Sequence, residues 1–269
     1  MEHIKLVICD IDGTIIPKGC HDISDNLKKA FKQLHEKGID LLVATGRHYN
    51  FTQTKLFESL TNDYMITING SCLNKINGEV VHYFTIDEDT LWNVVKVCET
   101  YDIGLGLKFK DNIVTYHNHE KYIEGYLPHN PEWREKIVND CEKREYHLEH
   151  GLPCGIFFIG DENVIEELFH GRIGNLIVAR SIKDGFDVFI EDINKSTGID
   201  EYMKLTGHTW DEAICFGDAG NDTAMLKKAK IGVTFEDAKD FVKEACDYIT
   251  CPCEEDGVYK ALQHFGLVE

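Results

Sequence analysis

Proline is scarce in this sequence, with five in 269 residues, and no proline-rich stretch, low-complexity tract or internal repeat interrupts it. Any passage between domains is therefore expected to be a short hinge rather than a linker. No apolar run reaches the ~18 residues that suggest a membrane helix. The chain opens directly into a core-like strand, without the charged region, apolar region and cleavage site of a secretory leader. Basic residues are also few, 28 Lys and Arg against 47 Asp and Glu, which leaves a net charge of −19. Repulsion on that scale opposes nucleic acid or an anionic membrane as a general partner. It leaves room for a small anion met by a local cluster of divalent cation, Lys and Arg.

Ten cysteines are present, but in a chain this long that lacks a leader they read as thiols of a reducing cytosol, and the expected localisation is cytoplasmic. Cys9, Cys154 and Cys215 lie inside apolar runs and read as small core residues. Cys251-Pro252-Cys253 has the makings of two metal ligands, yet no second cysteine pair accompanies it, and packing cysteines are the simpler reading. A hydrophobic content of 43% suffices for an ordinary core, in one large domain or two smaller ones.

The chain is organised around its first strand. The run from Ile4 to Cys9 ends in Asp10-Ile11-Asp12-Gly13-Thr14, two aspartates at i and i+2 that an extended backbone projects to one side. Carboxylates so close repel, so one needs a cation while the other can be kept protonated. The same spacing recurs at Asp87 and Asp89, where a helix N-terminus explains it, so the first pair gains meaning only from partners elsewhere.

Apolar residues at Leu27, Ala30, Phe31 and Leu34 predict an amphipathic helix over 24–37. Strands are expected at 39–44 and 64–68, with a second helix at about 50–60 between them. Strand, helix, strand, helix, strand at this spacing argues for a parallel sheet. From about Val81 the texture changes to alternating strands interrupted by helical stretches near 88–101, 131–142 and 163–169. This pattern predicts a second, α+β domain inserted into the first. The buried parallel pattern returns after Lys195. The expected fold is α/β, with a parallel-sheet core over 1–82 and 188–269 and an inserted domain over 83–187.

In a parallel sheet the strand carboxyl ends share one edge, so Asp10 and Asp12, Thr45-Gly46-Arg47, Lys195 and Gly217-Asp218-x-Gly220-Asn221-Asp222 can converge. Their chemistry fits phosphoryl transfer. Asp10 can attack phosphorus to form an aspartyl phosphate. Asp10 and Asp218 can hold Mg²⁺, which favours few carboxylates plus phosphate and water oxygens. Lys195, the Thr45 hydroxyl, backbone N–H groups and Asn221 can stabilise the equatorial oxygens. Asp12 can protonate the leaving alkoxide and then take a proton from water.

These four segments resemble, in order, the motifs of the haloacid dehalogenase-like (HAD) phosphatases, and the long insertion is similar to the α+β cap of the Cof-type, class IIB branch. The resemblance implies a Rossmann-like core, a mobile cap, Mg²⁺ dependence, Asp10 as nucleophile and Asp12 as acid/base. It implies phosphate contacts from Thr45, Gly46 and Lys195, with the Asp12 backbone carbonyl joining Asp10 and Asp218 on the metal. Asn221 and Asp222 carry over as supporting residues, and Asn69-Gly70 matches an Asn-Gly of the loop leading to the cap. Lys195 is followed by Ser196 where the branch commonly has glycine.

The expected activity is hydrolysis of small phosphorylated metabolites, sugar phosphates above all, by a monomer or weak homo-oligomer. A phosphotransferase or phosphomutase acting on sugar phosphates is the nearby alternative. A non-catalytic metal- or ligand-binding module is the distant one, disfavoured because such a module needs no acid/base partner beside Asp10.

Overall fold

A computed structural model of the protein describes residues 4–52, 63–127 and 131–269. The chain divides into two compact units: residues 4–46, 63–81 and 194–269 form the first, and residues 47–52 and 82–193 the second.

The first unit is built on a sheet of eight strands. In chain order these are β1 (Leu6–Cys9), β2 (Asp40–Ala44), β3 (Tyr64–Thr67), β4 (Cys72–Lys75) and β5 (Val80–Tyr83), then, after the inserted unit, β13 (Ala213–Phe216), β14 (Ile231–Phe235) and β15 (Tyr248–Thr250). Their spatial order is β15, β14, β13, β1, β2, β3, β4, β5. From β15 to β3 every pairing is parallel, and β4 returns antiparallel to β3. β1 lies at the centre with all four residues buried, which is why it reads as an unbroken apolar run rather than an alternation.

Helix Asp25–Glu36 follows the expected periodicity, with Leu27, Ala30, Phe31 and Leu34 buried. Ser24 caps it by accepting from the Leu27 N–H at 3.1 Å, and Gly38 leaves it at φ +69°. Burying each of its large apolar side chains contributes about 1.5–3 kcal/mol relative to leaving it exposed. Most of the helix at about 50–60 lies outside the described residues, and only the short 3₁₀ turn Tyr49–Phe51 is seen.

The second unit carries its own sheet, of seven strands: β6 (Gly104–Lys108), β7 (Ile113–His117), β8 (Ile137–Asn139), β9 (Gly155–Ile159), β10 (Arg172–Ile173), β11 (Leu176–Ile182) and β12 (Gly185–Ile190). They run in the order β10, β11, β12, β9, β6, β7, β8, antiparallel except for β7 with β8. One core cluster gathers Leu91, Val94, Val95 and Cys98 of helix Glu88–Tyr101 with Leu105, Leu107, Ile156 and Phe158. A second gathers Phe51, Tyr122, Ile123, Phe157 and Ile159.

Two expectations are corrected. The stretch 131–142 is not one helix: helix Pro131–Arg134 is a single turn, and Ile137–Asn139 pairs with β7. The return to the core does not fall at 187–188, because those residues lie inside β12, hydrogen-bonded to β9 and β11; the unit boundary lies between Ile193 and Asn194.

Candidate active site

Asp10 follows the last residue of β1, and its N–H donates to the Phe216 carbonyl at 3.0 Å, so the sheet ladder itself fixes it. The chain then turns sharply. The Ile11 carbonyl accepts from Thr14, Ile15 and Ile16, and Gly13 takes φ +79°. A side chain at Gly13 would collide with Asp218, its Cβ lying 2.5 Å from the Asp218 Oδ2. The glycine of the opening motif is thus required twice, by its backbone conformation and by close approach. Asp10 is buried at 6% exposure, whereas Asp12 is exposed.

Lys195 stands at the start of helix Lys195–Thr206, with Asn194 as its cap. The ammonium is wholly buried and donates to the Asp10 carboxylate and, at 2.6 Å, to Asp222. Asp222 spends its other oxygen on the N–H groups of Asp218 and Ala219, at 3.0 and 2.9 Å. Gly217 permits this, since a Cβ there would come within 2.4 Å of Asp222. Burial raises the Asp10 carboxyl to about 8 against the opposing pull of Lys195, with Asp222 adding to the rise. Burial also works against the charge of Lys195, but Asp10 and Asp222 outweigh it and hold its pKa above the ordinary lysine value. Asp218 is raised too, by burial first and then by Asp222. Two carboxylates therefore share one buried ammonium, and a third, Asp218, lies close to both, a crowding of acidic groups that a hard cation would relieve.

Among the described residues, Asp10, Asp218 and Asp222 form the one group of carboxylates, imidazoles or thiols close enough to hold a metal, with ligand atoms within 4.8 Å of one another. Asp222 is held through both oxygens by the buried Lys195 and two backbone N–H groups, whereas Asp218 meets, among the described residues, the Thr14 hydroxyl at 3.4 Å and the exposed Lys18 at 3.2 Å, so Asp10 and Asp218 are the more accessible carboxylate ligands. An all-oxygen donor set of this kind suits a hard divalent ion. The Asp12 carboxylate lies outside this group.

The remaining predicted residues sort clearly. Thr45 is buried at the end of β2, its N–H on Ile66 and its carbonyl accepting from Asn69. Gly46 follows it, so close to Asn69 that a Cβ would sit 2.8 Å from the Asn69 Oδ1. The Asn221 side chain donates to that same oxygen at 2.9 Å. Arg47 groups with the second unit, where it donates to the Phe51 carbonyl at 3.4 Å.

One residue escaped the sequence reading. Lys18, otherwise exposed, lies 3.2 Å from the Asp218 Oδ2. Nothing distinguishes it in the sequence except its place in the loop after the aspartates. Cys253 lends its thiol to the Thr14 carbonyl at 3.0 Å and Cys251 to Glu255, so this pair packs against loops and joins no metal cluster among the described residues. In the second unit Arg172 and Arg180 are engaged by Glu191 and Glu162. His147 is buried against the Tyr116 hydroxyl at 2.9 Å.

Residues 7–262 match the family described as haloacid dehalogenase-like hydrolase. Over 265 residues, 98% of this chain and 96% of the relative, the sequence is 31% identical to the 5-amino-6-(5-phospho-D-ribitylamino)uracil phosphatase of Bacillus subtilis. A HAD subclass IIB sugar phosphatase of known structure is 27% identical, with a TM-score of 0.82 over 98% of this chain and 100% of that one. A HAD phosphatase from Bacteroides thetaiotaomicron, 24% identical, shares the fold at a TM-score of 0.83 over 99% of this chain and 97% of its own. No helix among the described residues is long and apolar enough to cross a membrane.

Proposed function

Since the chain belongs to the haloacid dehalogenase-like hydrolase family, in its Cof-type class IIB branch, and is a phosphatase, we propose that it hydrolyses small phosphorylated metabolites through an aspartyl phosphate on Asp10. The observation that carries this reading is the meeting of Asp10, Lys195, Asp222 and Asp218 at the carboxyl ends of β1 and β13.

Asp10 attacks phosphorus with one carboxylate oxygen, and Asp12, exposed and two residues on, gives the leaving oxygen its proton. Asp12 then removes a proton from the water that opens the aspartyl phosphate. Lys195 keeps the Asp10 carboxylate oriented and supplies positive charge to the transferring group. Thr45, the Gly46 backbone and Asn221 meet the equatorial oxygens. Asp222 holds Lys195 and the Asp218 backbone in register and leaves the reacting atoms to others. Asp10 and Asp218, with the Asp12 carbonyl, would hold Mg²⁺, which when bound neutralises charge between the nucleophile and the phosphate dianion.

Two relatives, a ribitylaminouracil phosphatase and a sugar phosphatase, support a substrate class, since their named substrates share a phosphorylated polyhydroxylated carbon chain. We take such polyol phosphates, sugar phosphates first, as the substrates. The inserted unit selects among them, and the enzyme works in the cytoplasm as a monomer or weak homo-oligomer. Purified protein assayed with Mg²⁺ against phosphorylated sugars, sugar alcohols and nucleotides is expected to release phosphate. Asp10→Asn, folded by circular dichroism, is expected to release none. Turnover by that variant would refute the mechanism, and isomerised sugar phosphate in place of free phosphate would make the enzyme a mutase.

A further inference from the structure

We infer that Asn69 is a positioning residue of this phosphatase site: its side chain sets Asn221 against the Thr45–Gly46 turn, and the left-handed turn Ile68–Gly70 serves to place it. The role assigned rests on the phosphatase reading, while the geometry stands by itself.

β3 ends at Thr67, and the next three residues all take positive φ: Ile68 at 51°, Asn69 at 53° and Gly70 at 100°. For asparagine and glycine this is ordinary, but for a β-branched isoleucine it is a genuine strain. Such strain persists only where the surroundings impose it. Here they do so from three directions. Ile68 is buried at 2% exposure and pins the turn to the core. The Asn69 N–H donates to the Thr45 carbonyl at 3.1 Å. Gly70 lies directly against the peptide that leads into Lys195: a Cβ there would fall 1.9 Å from the Asn194 carbonyl oxygen and 2.9 Å from the Lys195 nitrogen. Gly198, one turn into that helix, completes the fit, since its Cβ would meet the Gly70 oxygen at 2.8 Å.

The turn therefore touches the segments that carry Thr45, Lys195 and Asn221. From its centre a buried amide side chain reaches out, accepts from Asn221 at 2.9 Å and fills the space that glycine leaves at position 46. Packing alone would need neither an amide nor a left-handed backbone. Asn221 itself is exposed, on the short 3₁₀ turn Gly220–Asp222, and Asn69 is its recorded side-chain anchor. Without Asn69, Asn221 samples rotamers in solvent and the Thr45–Gly46 turn loses its wall.

The test is a double-mutant cycle of Asn69 and Asn221, measured as Mg²⁺-dependent kcat/KM on p-nitrophenyl phosphate. Asn69→Gly is the chosen variant, because glycine adopts the left-handed conformation freely and removes only the side chain. Asn69→Gly and Asn221→Ala are each expected to lower kcat/KM by about tenfold, and the double variant by no more than the worse single, the non-additivity of groups acting as a pair. Losses that multiply, or wild-type activity in Asn69→Gly, would overturn the inference. A melting temperature close to that of the wild type separates positioning from unfolding. If the wild type itself released no phosphate, the phosphatase reading would fail instead. Binding of inorganic phosphate in Mg²⁺, expected to be about tenfold weaker in Asn69→Gly by the same coupling, would then decide the role of Asn69, and equal binding would overturn it.

Discussion

At the scale of single residues, the site is a problem of buried charge. Lys195 has no exposure to solvent and Asp222 has none either, while Asp10 is nearly as deep. An ammonium taken out of water is tolerable only because two carboxylates face it, and each carboxylate depends on it in turn. Substituting Lys195→Met removes the shared cation and leaves two buried carboxyl groups without their partner. Metal-free protein is then expected to lose about 3–5 kcal/mol of stability, as when one partner of a buried pair is deleted. Urea unfolding in EDTA measures this, and a change below about 1 kcal/mol would refute the dependence of the two carboxyl groups on Lys195. Phosphatase activity is expected to be lost whichever outcome the unfolding gives. Lys18 makes the contrasting case: mostly exposed, its contact with Asp218 is screened by solvent and adds little to stability.

At the scale of elements, turns do the positioning. β1, β2 and β13 bring Asp10, Thr45 and Gly217 to one edge, and the glycines at 13, 70 and 217 let neighbouring loops approach where a Cβ would collide. The short turn Tyr49–Phe51 of the second unit offers a different test. Its cap, His48, is buried; Nε2 faces the Phe109 carbonyl at 2.8 Å and Nδ1 accepts from the Asn50 N–H at 3.1 Å. Both bonds are made by the neutral ring with its proton on Nε2. Burial pulls this histidine down to about 4 from 6.5. The unfolded chain therefore takes up a proton before the folded one does. The stability contributed is present in full above about pH 6.5 and is lost as the pH falls toward 4, about 3 kcal/mol in all. Unfolding free energies at pH 7, 5 and 4 should show this slope, and His48→Gln should flatten it. An unchanged slope in that variant would place the pH dependence elsewhere.

At the scale of the whole molecule, a net charge of −19 has to coexist with a phosphate dianion as substrate. Carboxylates gathered at Asp10, Asp218 and Asp222 add to the repulsion locally, and a divalent cation bound among them would reverse it. Because the unfolded chain lacks this arrangement, Mg²⁺ should bind the folded state selectively and stabilise it by about 2.7 kcal/mol at a hundredfold excess over Kd. Calorimetry in Mg²⁺ against EDTA is expected to show the shift, and Asp218→Asn to abolish it. A melting temperature indifferent to Mg²⁺, together with no heat of binding, would remove the metal from the proposal.

By itself the sequence determined the α/β class and the insertion and supplied the residues proposed for the site, because these rest on local signals. An apolar run ending in Asp10-Ile11-Asp12-Gly13-Thr14, a glycine after Thr45 and a loop rich in Gly, Asn and Asp at 217–222 each follow a strand, and a parallel sheet must gather strand ends on one edge. It misplaced what depends on long-range pairing. The segment 137–139 became a strand only because β7 lies beside it, and residues 187–188 belong to β12 because β9 and β11 hold them there. Tertiary structure also decided how the polar atoms are shared. Asp222 is held by Lys195 and two backbone N–H groups, Lys18 reaches Asp218, and Asn69 holds Asn221 from a turn strained at Ile68. Spacing along a chain limits which residues can meet, but hydrogen bonds form between atoms, and only the folded backbone sets which atoms come within reach.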